Sequence, residues 1–163
     1  MIGIYDELFT SEPLLQISEI AVTAILGLSV LGSTIIFNRS QSKIAKHRLQ
    51  KDLFGEFNKR YDVLNSYLEK ITKYESLEDL EDKKPKKYEF LRYKLNDYFN
   101  LCAEEFYWYK NGRIDYDLWK SWESGMNSWY NNHPIIRQAW KEEYESFGHY
   151  SFYLKSDEQF FKD

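Results

Sequence analysis

Little in this sequence points to chemistry. A single cysteine, Cys102, stands among 163 residues, which excludes an internal disulfide and any cysteine-based zinc framework. There is no Gly-rich phosphate loop, no HExxH, no GxSxG and no cysteine–histidine pair at useful spacing. The usual signatures of nucleotide binding, zinc hydrolysis and acyl transfer are therefore missing. Of the histidines His47, His133 and His149, only the last has an acid four residues away, Glu145, and Gly148 interrupts the helix that would align the two. No metal site and no cofactor are expected. The first 37 positions hold no basic residue but four acids, Asp6, Glu7, Glu12 and Glu19. A secretory signal peptide wants a basic start, a shorter apolar stretch and a small-residue cleavage site, so that reading is rejected. No internal repeat or low-complexity segment stands out.

The chain is organised around Leu14 to Phe37, LLQISEIAVTAILGLSVLGSTIIF, which carries no charge from Ile20 onward. As a helix these 24 residues would span roughly 36 Å, against about 30 Å of bilayer hydrocarbon. Lipid gives the backbone no partners, so a helix that satisfies its own amides is the natural state there. The alternative is a buried core helix. On the helix, Gln16, Glu19, Thr23, Gly27, Val30 and Thr34 fall within about 80° of one another. Small and polar residues on one stripe suit close packing on another span, from a second copy or another membrane protein.

Orientation follows from charge. Residues 38–60 hold seven basic residues against two acids, a balance of +5, and residues 61–163 hold 15 against 20, or −5. Positive charge flanking a span stays cytoplasmic, so the N-terminus is expected outside and everything after Arg39 inside. Arg39, Lys43, Lys46, Arg48 and Lys51 are candidates for contact with anionic lipid headgroups, or serve topology alone. The acidic remainder disfavours nucleic acid as a partner. Four lysines around Pro85, beside several acids, read as a solvated loop.

Beyond the span, the fold expected is all-α: a single transmembrane helix continuing into a stalk and an antiparallel cytoplasmic helical bundle. The divisions are a tail over 1–13, the span over 14–37, a basic stalk over 38–52 and a helical domain over 53–163. Leu53, Phe57, Tyr61, Leu64, Leu68 and Ile71 repeat at helical spacing. Residues 75–87 are expected as an exposed connection, with room for a short helical turn. Leu91, Leu95, Tyr98, Cys102, Glu105 and Tyr109 share the face of a central helix from about Lys87 to Lys110. Asn111-Gly112 ends it, and Asp115 caps the next, with Leu118, Trp122, Met126 and Trp129 inward and Trp119 alongside. Pro134 opens a helix to Phe147, with Ile136, Ala139, Trp140 and Tyr144 inward, and Gly148 closes it. At the end, Tyr150, Phe152 and Leu154 alternate as in a strap, and Ser156 with Gln159 has the spacing for a last helical turn through Phe160 and Phe161.

Two features touch on function. Glu104 and Glu105 lie mid-helix, Glu105 on the apolar face, where a carboxyl serves either as a structural acid or as a base of raised pKa. Tyr107, Trp108 and Tyr109 are consecutive and cannot face one way on a helix, so they mark a partner surface for a cytoplasmic protein. The stretches FNKRYDVLN and LNDYFNLCAEEFYWYKNGRIDYDLWKSW, behind a span and a basic stalk, resemble a family of small bacterial membrane-anchored helical proteins of unknown function. The likeness covers most of 14–147. It implies a bacterial or phage-carried inner-membrane protein, single-pass, and supplies no activity and no site residues. The leading expectation is a membrane-tethered, non-enzymatic interaction or regulatory protein. One alternative is an effector acting on the membrane, a pore-forming or depolarising subunit of the kind a bacterial defence system deploys. The other is an enzyme using a buried glutamate.

Overall fold

The computed structural model describes residues 12–162, with side chains from Ile17 onward. The expected tail over 1–13 falls almost wholly outside the described residues, as does the side chain of Gln16. The protein is all-helical: α1 Glu12–Ile71, α2 Leu77–Lys83, α3 Tyr88–Lys110, α4 Tyr116–Asn132, α5 Pro134–Phe147 and a 3₁₀ turn His149–Phe152, with no strand among the described residues. Two compact units divide between His47 and Arg48.

The first unit is the N-terminal part of α1. It is long and apolar enough to cross a membrane, and none of its most apolar stretch is buried. Ile20, Leu28 and Ile36 are each about 70 % exposed. Its hydroxyls turn back on their own helix: Ser29, Ser33 and Thr34 donate to the carbonyls of Ile25, Ser29 and Val30, each at 2.8 Å. Each hydroxyl is thereby satisfied by its own helix and needs no partner from outside it.

The second unit begins at Arg48; close to that point Leu49 packs on the core and Gln50 donates to Asp115. Leu53, Phe57, Leu64, Leu68 and Ile71 are buried along one stripe of α1. The central helix α3 buries Leu91, Leu95, Tyr98, Phe99, Leu101, Cys102, Ala103 and Glu105, and so packs on more than one side. It meets α4 and α5, which also meet each other. The helix ends match their local chemistry. Gly112 takes φ +66° after α3 and Gly148 φ +74° after α5, where a side chain would be strained. Asp115 accepts from the Leu118 amide at 2.9 Å, and Pro134 opens α5.

Two expectations are corrected. The connection over 75–87 contains a helix, α2, capped by Ser76 accepting from the Asp79 amide at 3.2 Å. Its two leucines, Leu77 and Leu80, are fully in the core, and Gln138 of α5 accepts from the Leu77 amide at 2.9 Å. Two apolar residues three apart suffice for a two-turn helix laid flat on a neighbour. No helical turn forms over 156–161. Phe160 and Phe161 are both buried, held there by irregular backbone. Trp122 and Trp140 pack on the core, partly buried, and Trp119 lies deeper than either.

Candidate functional site

α1, α3 and α4 leave a gap between them. Asn58 and Tyr61 of α1, Tyr98, Leu101, Cys102 and Glu105 of α3, and Ser121, Trp122, Gly125 and Met126 of α4 enclose a cavity of about 150 Å³. The α3 residues recur at helical spacing, so one face of that helix forms a whole wall. Gly125 provides part of the opening: a Cβ built there would meet nothing within 4 Å.

Glu105 is the acid on this wall, and only 6 % of it is exposed. Burial pushes its carboxyl up to about 8; the positive Arg60 pulls it back down, and Glu104 adds a smaller upward push. Arg60 is committed elsewhere. Its two terminal nitrogens donate to the two oxygens of Glu104 at 2.6 and 2.9 Å. The cavity wall thus holds an acid without a cation of its own. The Tyr98 hydroxyl is buried with no oxygen or nitrogen hydrogen-bonded to it, the Cys102 thiol being its polar neighbour, and burial raises its pKa well above the usual tyrosine value. Tyr61 is oriented by the Trp129 indole, which donates to its hydroxyl at 2.8 Å. Burial likewise raises the Cys102 thiol, which makes it a packing residue rather than a nucleophile. Chemically, this arrangement offers a carboxyl that exchanges a proton near neutral pH, a buried hydroxyl and three aromatic rings.

Other expected sites disperse. Tyr109 stacks on Trp119 with centroids 4.9 Å apart, whereas Tyr107 points out, 40 % exposed, with its ring 5.3 Å from that of Tyr153. Trp108 is partly buried against the core. Of the span stripe, Glu19, Thr23, Gly27, Val30 and Thr34 are all exposed, as are Arg39, Lys43, Lys46, Arg48 and Lys51. Lys70, Lys73, Lys84, Lys86 and Lys87 line an open groove with Tyr67, Tyr74 and Phe90. Among the described residues no three of His, Cys, Asp and Glu gather as a metal would need.

Two buried acids escape a reading of the sequence. Glu123 of α4 accepts from Lys120 at 2.5 Å and from Lys162. Burial alone would raise its pKa, but these bonds outweigh it and the net shift is downward. Glu143 of α5 lies 3.7 Å from Arg92, which also pairs with Glu142 at 2.9 Å. The signal available for both was an acid on the inward stripe, at Trp119–Glu123–Met126 and Ile136–Ala139–Glu143. No protein-family model, no curated protein and no solved structure matches this chain, so the resemblance noted above rests on its quoted stretches alone.

Proposed function

We propose that the chain is a membrane-tethered, non-enzymatic interaction or regulatory protein of the bacterial inner membrane. In this reading it crosses once through 14–37, its N-terminus is outside, and the antiparallel helical bundle is a cytoplasmic docking module. The observation that carries it is the bare apolar surface of α1. Isoleucines, leucines and valines from Ile17 to Ile36 stand more than half exposed, far beyond the few hundred Å² of contiguous apolar patch that a monomer leaves in water. Lipid removes that cost. The exposed basic residues that follow, Arg39 to Lys51, fit the cytoplasmic flank of a span. Partners would reach it through the span, as a second copy or another membrane protein, and through the cytoplasmic surface around Tyr107.

Cysteine labelling of intact cells tests this. The native Cys102 is buried, so an impermeant thiol reagent reads only an added cysteine. Thr10→Cys is expected to react from outside, and Ser124→Cys, on the exposed side of α4, only after lysis. The reverse pattern overturns the orientation, and recovery of the chain in the soluble fraction overturns the anchor. A potential-sensitive dye in the same cells separates the effector alternative, because depolarisation on expression would move the protein to that class.

A further inference from the structure

The cavity between α1, α3 and α4 has a composition that plain packing does not require. Its walls combine the rings of Tyr61, Tyr98 and Trp122, the apolar Leu101 and Met126, and the Glu105 carboxyl, and no lysine, arginine or histidine lines it. Its volume, about 150 Å³, is that of a cavity able to take a molecule the size of benzene. A wholly apolar guest would leave the buried Glu105 carboxyl unsatisfied, and an anion would meet it. Aromatic faces attract cations through the ring quadrupole, and a buried carboxylate needs an opposite charge.

We propose that this cavity is a binding site for a small alkylammonium ion, held between the faces of Tyr61, Tyr98 and Trp122 and paired with Glu105. The groups that face Glu105 are Arg60 and Tyr61 from α1, and Tyr98, Cys102 and Glu104 from its own helix; the α4 wall, Ser121, Trp122, Gly125 and Met126, has no ionisable side chain. Arg60 is held by Glu104 and leaves the charge of Glu105 to the guest. Binding therefore exchanges one cation for another: the guest enters, the carboxyl proton leaves to solvent, and the net charge of the cavity stays neutral. The site does not depend on whether the chain crosses a membrane.

Calorimetry on the full chain in maltoside micelles tests it, with choline as the cation and 3,3-dimethylbutan-1-ol as its uncharged counterpart of the same shape. Choline is expected to bind at least tenfold more tightly than the alcohol, with close to one proton released per choline below pH 7. Its affinity should climb up to about tenfold per pH unit toward pH 8 and level off above, as the competent, ionised fraction grows. Glu105→Gln should abolish both the proton release and the pH dependence. Gly125→Leu, placed where there is open space, should block choline while thermal unfolding stays cooperative. Equal affinity for the alcohol, choline binding indifferent to pH, or no choline binding by a folded wild-type chain would each overturn the proposal. The wild-type pH profile and the comparison of the two probes decide the matter even if the Gln variant fails to fold.

Discussion

Arg60 on α1 grips Glu104 on α3 with two hydrogen bonds, 2.6 and 2.9 Å long. The next residue along α3, Glu105, receives no such bond from that guanidinium, only its field. Adjacent acids on one helix thus meet different fates because they point about 100° apart: one reaches the surface pair, the other the cavity.

Removing the guanidinium separates these roles. Arg60 and Glu104 are each about one-third exposed, so solvent screens the pair and Arg60→Leu is expected to cost roughly 1–2 kcal/mol. The same variant should raise the Glu105 pKa further, since Arg60 is what pulls it down. Urea unfolding measures the first effect and carboxyl infrared titration the second. A lowered or unmoved Glu105 would show that Arg60 does not act on it.

Stability should fall with rising pH in a defined window. A carboxyl with a folded-state pKa of about 8 against an ordinary 4.5 keeps its proton in the folded chain after the unfolded chain has lost it. Its contribution is complete near pH 4.5, declines by at most about 1.4 kcal/mol per pH unit and is gone above 8. His133, lowered by burial and then by Arg137, works in the opposite direction below 6.5. Tyr98 and Cys102, raised by burial, add to the fall only at higher pH. The window from pH 6.5 to 8 therefore isolates Glu105. Denaturant midpoints should drop across it in the wild type and stay level in Glu105→Gln; parallel slopes would contradict the assignment.

The tryptophans should rank by their surroundings. Trp119 is 2 % exposed and stacked on Tyr109. Trp140, though half-buried, touches the rings of Phe99, Phe152, Phe160 and Phe161 at 4.7 to 5.3 Å. Each change to alanine should cost about 3–5 kcal/mol. Trp122 meets Phe54 at 6.2 Å and Phe57 at 5.6 Å and borders the cavity, so its loss should cost roughly half as much. Thermal unfolding of the three variants gives the order directly.

Within the proposed span, Gly27 and Gly32 both have open space where a Cβ would stand, so isoleucine at either leaves α1 itself undisturbed. If the stripe of Glu19, Thr23, Gly27, Val30 and Thr34 packs on another span, Gly27→Ile lowers crosslinking in the membrane and Gly32→Ile, on the opposite side, does not. Equal yields would reduce the segment to a tether.

Helices proved legible where periodicity and end signals agreed. Pro134 and Gly148 bracketed α5 to the residue, and Asp115 and Gly112 marked the gap before α4. α2 was obscured by its charges, because the stabilising contacts of Leu77 and Leu80 come from elsewhere in the fold and not from a long stripe. The burial of Glu123 depends on Lys162, 39 residues away, a pairing that no local pattern contains. The cavity was invisible for a related reason. It arises from what three helices fail to fill, while Glu105 itself announced its face in the sequence.

The aromatic pair Phe160–Phe161, set against Trp140 and clamped by Lys162 onto α4, imposes an order of events during synthesis. Ribosomes deliver the chain from its N-terminal end, so the apolar segment of α1 emerges long before the core can close. Helices α3 to α5 must wait with their ring-lined faces uncovered until these two phenylalanines leave the exit tunnel. The nascent domain thereby passes through an interval in which chaperone binding and premature aggregation compete for the same exposed rings; on the proposed membrane reading, targeting through α1 precedes that interval.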